Sequence, residues 1–129
     1  MSQVKGRDTS IEKEVRSRLH RMGLRFRKHV KGLPGKPDVV FPRAKLAVFI
    51  EGDFWHGWRF PAWAESLSPR WRQKIRGTRD RDRRNFAKLR RGGWAVIRVW
   101  QHEIEADPAR ATDRIADAVK RLERVGQLA

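Results

Sequence analysis

The sequence of 129 residues contains no cysteine. It can therefore form neither a disulfide framework nor a zinc site built on thiolates. It also lacks any run approaching the ~20 consecutive apolar residues that a membrane-spanning helix requires, and residues 1–8 lack the apolar segment of a signal peptide. From these absences we expect a cytoplasmic protein that does not bind membranes, with a flexible segment at residues 1–8.

Acidic residues are scarce, since 15 Asp and Glu stand against 31 Lys and Arg, and the formal net charge is +16. A field of this sign attracts polyanions and speeds their encounter, and guanidinium groups suit phosphate. The charge indicates that the protein acts on nucleic acid, either as an enzyme or as a binding module. The alternatives are that it is a ribosomal or RNA-binding protein, or that the charge serves only solubility. Hydrophobic residues make up 39%, which is enough for one core and predicts a single domain over residues 1–129.

The hydrophobic pattern of the first half predicts one helix followed by strands. Thr9 and Glu12 fit a capping box that begins the helix, and Gly23 ends it. Residues 38–41 and 46–50 predict two strands joined by a short basic turn, and their continuous apolar character indicates burial on both faces.

The second half predicts a loop, a helix, a strand and a final helix. Residues 57–69 predict the loop, and residues 69–91 an arginine-rich helix interrupted near Gly77. Residues 94–100 predict a third core strand, and an Asp-Pro pair begins the last helix. One face of that helix carries four apolar residues at helical spacing: Ile115, Val119, Leu122 and Val125. The order predicts an α/β fold with a central mixed β-sheet flanked by helices.

Two acidic residues lie at the ends of the paired strands. Asp38 follows a proline at the start of the first, and Glu51 stands at the end of the second. In an antiparallel pair these positions are neighbours, so the carboxylates are expected to meet at one edge of the sheet. A hard divalent ion would remove their repulsion, and Mg²⁺ (or Mn²⁺) suits such ligands. Alternatively, Asp38 caps a turn, and Glu51 and Asp53 are solvated charges at the end of the strand.

The next residues combine a histidine with aromatic rings. His56 can take a proton from a water molecule that attacks phosphorus, although a lone histidine is also compatible with a structural role. Phe54 and Trp55 are adjacent, so one of them should face solvent, where rings stack on bases or unstack base pairs. Trp71, at the start of the arginine-rich helix, could act in the same way. The alternative for any of these rings is a place in the core.

Several motifs in order resemble those of the Vsr DNA mismatch endonucleases. They span residues 7–104 and comprise residues 7–13, 33–38, 52–56, 71–75, 81–84, 89, 93–96 and 99–100. The strand-turn-strand unit is also similar to the PD-(D/E)xK nuclease core, except that Asp53 stands where lysine is expected. The resemblance implies a restriction-endonuclease-like fold and Mg²⁺-dependent nicking of one strand of double-stranded DNA beside a mismatch, T·G in the best-known members.

The resemblance also implies roles for individual residues. Asp38 corresponds to the principal metal ligand, His56 to the general base and Asp82 to the acid that orients its imidazole. Glu12 corresponds to an active-site glutamate on the opening helix, a role that competes with its place in the capping box. The aromatic residues implied to wedge into the duplex are Phe54, Trp55 and Trp71. The basic residues expected to contact phosphates include Lys74, Arg81, Arg83 and Arg84.

The sequence departs from the family at two metal sites. A threonine that makes a second metal contact in the family is Ile50 here, and we expect Glu51 to replace it. The positions of the family's structural zinc are Asp53, Trp58, Phe60 and His102 here. Because Trp and Phe cannot ligate zinc, we expect no structural zinc and an apolar cluster of Trp58 and Phe60 in its place.

We expect a monomer. Two other functions remain open from the sequence. One is a non-catalytic nucleic-acid-binding module on a nuclease-like scaffold, and the other is a related nuclease that acts on modified or non-mismatched DNA. Loss of nicking in Asp38→Ala with unchanged DNA binding would favour the enzyme over the binding module.

Overall fold

The computed structural model describes residues 9–128, so the flexibility expected for residues 1–8 lies outside the described residues. Five α-helices, one 3₁₀ turn and four strands follow one another along this part of the chain. Their bounds are α1 (Ser10–Arg21), β1 (Arg27–Lys28), β2 (Val39–Phe41), β3 (Leu46–Glu51), α2 (Phe60–Trp63), the 3₁₀ turn (Ala64–Ser66), α3 (Pro69–Arg91), β4 (Ala95–Trp100), α4 (Gln101–Ala106) and α5 (Pro108–Leu128).

The strands form one mixed sheet in the order β1-β2-β3-β4. β2 is antiparallel to both β1 and β3, whereas β4 runs parallel to β3. A parallel pair requires a long crossover, and α3 supplies it. Every residue of β2 and β3 is buried, as their apolar character predicted. β4 lies at the edge of the sheet and is mostly half-buried, which differs from the core strand that the sequence predicted.

Alternate residues of β3 point to opposite faces of the sheet and divide the core into two layers. One layer packs against α1 and α5, and its members on β3 are Leu46, Val48 and Ile50. The other packs against α3 through Phe49, whose ring meets Phe86 edge to face with 4.9 Å between centroids. Helices thus flank a mixed sheet on both sides, which confirms the predicted restriction-endonuclease-like fold. Glu51 follows Phe49 in the alternation and lies on the α3 side.

The first helix begins as the sequence predicted. Thr9 is its N-cap, and the Thr9 hydroxyl accepts a hydrogen bond from the backbone N of Glu12 at 3.4 Å. This contact uses only the backbone of Glu12, so capping does not commit its side chain. Beyond the helix, Gly23 adopts a φ of +79°, a left-handed conformation that ends the helical path.

Four details of the predicted elements are wrong. Residues 57–69 contain α2 and a 3₁₀ turn, because Phe60 is buried against Ile75 of α3. α3 continues through Gly77 without a break; a glycine costs only about 1 kcal/mol in a helix interior, and packing at Ile75 and Phe86 offsets it. The short helix α4 was not predicted. Val125 is exposed rather than part of the buried face of α5.

Within the described range, no helix combines the length and the apolar character needed to cross a bilayer.

Candidate active site

A cavity of about 460 Å³ opens at the edge of the sheet where β3 ends. Four of the predicted catalytic residues line it, namely Glu12, Asp38, Glu51 and His56. They come from α1, from the turn before β2, from the last position of β3 and from the loop that follows β3. The fold therefore brings residues from distant parts of the chain to one place.

Asp38 reaches the cavity from the residue immediately before β2. Its Oδ2 accepts a hydrogen bond from the backbone N of Ile50 at 2.7 Å, and its own backbone N donates to the carbonyl of Val48 at 3.0 Å. The antiparallel pairing of β2 and β3 therefore places Asp38 beside Val48 and Ile50, and Ile50 directly precedes Glu51 at the end of β3.

Burial raises the pKa of Asp38 to about 7, against the lowering effect of the hydrogen bond from Ile50. The charges of Glu12 and Glu51 raise this pKa further, whereas His56 lowers it. Glu12 itself is buried and forms an ion pair with Arg16 at 3.5 Å. Three carboxyl groups thus act on one another within one cavity, an arrangement that a bound cation would stabilise.

His56 lies between two carboxylates from different elements. Its Nδ1 is 2.8 Å from Oδ2 of Asp82 on α3 and 3.4 Å from Oε1 of Glu51. Burial lowers the pKa of His56, but the hydrogen bond with Asp82 and the charge of Glu51 outweigh burial, so the pKa is raised. When Nδ1–H donates to Asp82, Nε2 is the nitrogen that can accept a proton.

The predicted site did not include Arg98, which lies in the middle of β4. Its Nε donates to Oε2 of Glu51, and its Nη2 is 3.4 Å from Oδ2 of Asp82. Burial raises the pKa of Glu51, while the charges of His56 and Arg98 lower it. A single charged residue inside an otherwise apolar strand was the signal in the sequence that could have identified Arg98.

The donor atoms at this site fit a hard divalent cation. Ligand atoms of Glu51, His56 and Asp82 all lie within 4.8 Å of one another. Glu51 is 1% exposed, and its Oε1 is buried without a hydrogen-bond partner, so this oxygen could contact a cation. Asp38, one of the two predicted metal ligands, is not a member of that triad. Asp38 instead contributes a carboxylate that lines the cavity. Arg98 contacts both carboxylates of the triad, those of Glu51 and Asp82.

The three predicted wedge residues form one exposed aromatic cluster, Phe54, Trp55 and Trp71. Their ring centroids lie 5.2 to 5.7 Å apart, and each residue is about 40% exposed. Trp63 stacks on Phe54 and supports the cluster from the protein side. Exposed aromatic groups of this kind commonly mark an interaction site, and their faces suit stacking on nucleic-acid bases.

The four basic residues expected to contact DNA are all exposed on α3: Lys74, Arg81, Arg83 and Arg84. Lys74 lies over the ring of Trp71, with 5.6 Å from Nζ to the centroid, so the basic surface adjoins the aromatic cluster. Arg83 pairs with Asp80 of the same helix at 3.1 Å.

The loop after β3 is attached to α4 by Asp53. Its Oδ1 lies 2.9 Å from Nδ1 of His102, and its backbone N donates to Oε1 of Gln101 at 3.3 Å. The ring of Trp58 packs on His102 with centroids 4.5 Å apart. Phe60 instead packs near Ile75, so the expected joint cluster of Trp58 and Phe60 is wrong. The left-handed residue at position 59 turns the chain between the two rings.

The chain is similar in sequence to a family of DNA endonucleases and to several individual nicking enzymes. A family model described as DNA mismatch endonuclease Vsr matches residues 1–61. This stretch contains the four predicted catalytic residues that line the cavity. The Type II nicking enzyme V.XorIIP of Xanthomonas oryzae pv. oryzae is 47% identical over 106 residues, which cover 81% of this chain and 78% of the relative. The Type II nicking enzyme V.NmeDIP of Neisseria meningitidis serogroup C is 33% identical, with 93% and 83% covered. The DNA mismatch endonuclease Vsr of Escherichia coli K12 is 37% identical, with 78% and 66% covered.

Proposed function

Because the chain belongs to the Vsr family of DNA mismatch endonucleases, we propose that it nicks one strand of double-stranded DNA at or next to a T·G-type mismatch, in a Mg²⁺-dependent reaction of DNA repair. Endonuclease activity on DNA follows from the family, and the mismatch and the metal are the proposed parts. The observation that supports the proposal best is His56, backed by Asp82 at 2.8 Å, in the same cavity as Asp38.

We assign the metal to Asp38, assisted by Oε1 of Glu51, with Glu12 contributing charge to the same cavity. A divalent ion held there would polarise the phosphodiester and stabilise the charge that develops during hydrolysis. His56 donates Nδ1–H to Asp82 and accepts at Nε2 the proton of the attacking water. Asp82 keeps the imidazole in the tautomer that this transfer requires.

The DNA itself would lie across α3 and the aromatic cluster. The exposed basic residues of α3 would contact phosphates, and such contacts orient the duplex without reading its sequence. Phe54, Trp55 and Trp71 would insert beside the mismatched pair, where unstacking costs least because a mismatch is already weakened. We propose that the protein does this as a monomer in the cytoplasm.

The decisive experiment measures nicking of labelled duplexes that carry T·G, other mismatches, modified bases or no mismatch, with and without Mg²⁺. We expect Mg²⁺-dependent nicking that is fastest on T·G. Equal rates on matched DNA would remove the mismatch from the proposal, and undiminished nicking in a chelator would remove the metal.

A matched pair of variants tests the assignment of Asp38. Asp38→Ala should bind DNA as the wild type does and should not nick it. Asp117→Ala removes an exposed carboxylate on α5, away from the cavity, and should nick at the wild-type rate.

A further inference from the structure

Arg98 is directed toward the candidate site by the register of the sheet. β4 pairs in parallel with β3, so that Arg98 lies opposite Phe49 and Trp100 lies opposite Glu51. Because side chains alternate along a strand, Arg98 and Glu51 both project on the face covered by α3. This is also the helix that carries Asp82.

Arg98 contacts both of the carboxylates that contact His56. Its Nε donates to Oε2 of Glu51, whose other oxygen is 3.4 Å from His56 Nδ1. Its Nη2 lies 3.4 Å from Oδ2 of Asp82, the same oxygen that is 2.8 Å from His56 Nδ1. Each carboxylate therefore lies between a guanidinium and the imidazole.

The guanidinium is held in place by its surroundings. Its carbon lies 4.5 Å from the ring centroid of Trp100 and 4.8 Å from that of Phe86. The backbone carbonyl of Arg98 accepts a hydrogen bond from Nη2 of Arg114 on α5. Arginine keeps its charge and presents several donors in a planar fork, so it can engage two acceptors at fixed directions.

We propose that Arg98 is a positioning residue for the nicking reaction: it holds Asp82 as the acceptor of His56 Nδ1–H and thereby directs Nε2 of His56 toward the cavity. The carboxylates of Glu51 and Asp82 both lie near Nδ1–H of His56. The guanidinium of Arg98 contacts both of them and thereby fixes Asp82 as the acceptor. Without it, the ring would sample two orientations and would present Nε2 correctly for only part of the time. This inference rests on the proposed function, in which His56 is the base.

The kinetic test uses Arg98→Lys, which keeps the charge but loses the fork. We expect kcat for nicking to fall about 10- to 100-fold, as is typical when a supporting hydrogen bond is removed, with KM within about twofold. Arg98→Ala should lose more activity and regain part of it on addition of guanidinium ions. Arg121→Met, which removes an equal charge from the exposed face of α5, should keep the wild-type kcat.

A second measurement does not depend on nicking. In the metal-free wild type, at a pH above the pKa of His56, ¹⁵N NMR of the His56 ring should show a single neutral tautomer with the proton on Nδ1. Arg98→Lys should show a mixture of tautomers or a shifted Nδ1 signal, whereas Arg121→Met should match the wild type.

The inference is overturned if Arg98→Lys keeps the wild-type kcat, if its loss lies only in KM, or if its His56 signals are unchanged. Should Arg98→Ala not fold, Arg98→Lys still decides between these outcomes. If the wild type nicks no duplex, the proposed function fails, and the NMR comparison still tests the role of Arg98.

Discussion

The two faces of the central sheet bury different kinds of side chain. Toward α1 and α5 lies a cluster of fourteen buried apolar residues that draws on three strands and three helices. Toward α3 the buried cluster has only four members, and the charged groups Glu51, Arg98 and Asp82 lie on the same side of the sheet. β3 serves both, since Ile50 points to the larger cluster and Glu51 to the charged group. Under the proposed function, stability depends mostly on the apolar face and catalysis on the charged face.

The largest expected effect concerns the charged face. His56→Ala should lower kcat by about 10³-fold, because a general base typically contributes 10²- to 10⁴-fold. Its thermal unfolding temperature should stay close to that of the wild type, since the His56 side chain is 31% exposed and contacts the carboxylates of Glu51 and Asp82. Single-turnover nicking and a thermal melt measure the two quantities.

His20→Ala is the control for this prediction, because His20 is exposed on α1 and should change neither quantity. A loss of less than tenfold in His56→Ala would mean that another group takes the proton.

The opposite result is expected on the apolar face. Leu46 is fully buried, and Leu46→Ala should lower the free energy of unfolding by about 3 kcal/mol, within the range for a buried leucine that leaves a cavity. Its kcat should be unchanged below the unfolding transition. Urea denaturation measures the loss, and Val125→Ala, at an exposed position, should have little effect. A large fall in kcat at full folding would contradict the separation of the two faces.

The next prediction concerns the pH dependence of stability. Because burial raises the pKa of Asp38 from 3.8 to about 7, the metal-free folded state binds this proton more tightly than the unfolded state does. Asp38 therefore does not lower the free energy of unfolding below pH 4, where it is protonated in both states, but it lowers this free energy increasingly as the pH rises to about 7 and above. The free energy of unfolding of Asp38→Asn should exceed that of the wild type by about 2 kcal/mol at pH 8, a value reduced for partial solvent screening. At pH 4 the two should be equal.

Urea denaturation in the presence of a chelator, at both pH values, checks the effect of Asp38→Asn. Added Mg²⁺ should then stabilise the wild type more than the variant, since ligands that bind only the folded state raise its stability. A gain that is equal at both pH values would show that burial of Asp38 does not shift its protonation.

The smallest effect is expected at the aromatic cluster. Trp55→Ala should weaken binding to a mismatched duplex by about 1 kcal/mol, near the lower end for loss of one stacking ring, because Phe54 and Trp71 remain. Binding to matched DNA should change less. Fluorescence anisotropy in a chelator measures both affinities, with Met22→Ala, at an exposed apolar residue just after α1, as the control. Equal losses on the two duplexes would show that Trp55 contributes only general affinity.

Much of the fold could be predicted because apolar runs and turns are local signals. The two strands around residues 42–45 and the cap at Thr9 follow directly from neighbouring residues. The continuity of α3 through Gly77 could not be predicted, because the packing of Ile75 and Phe86 on either side of this glycine overrides local propensity. The helix α4 follows β4 without a turn residue, so no local signal separates them.

The residues of the candidate site also differ in whether the sequence could predict them. Asp38 and His56 could be proposed from short motifs, and Asp82 from the resemblance to a family. Arg98 could not be placed, because it lies 47 residues from Glu51 in the chain and the two meet only through the parallel register of β3 and β4. Local patterns do not specify the register between strands that are separated by a long crossover.

The attachment of Asp53 to α4 has a consequence for the design of shortened variants. The partners of Asp53, Gln101 and His102, lie 48 and 49 residues further along the chain. A fragment that stops after β4 would keep the residues of all four strands and of α3, but it would lose α4 and α5. It would also release the anchor of the segment that presents the imidazole. A minimal nicking domain derived from this protein must therefore keep α4 for this anchor, in addition to α5, whose residues belong to the larger buried cluster.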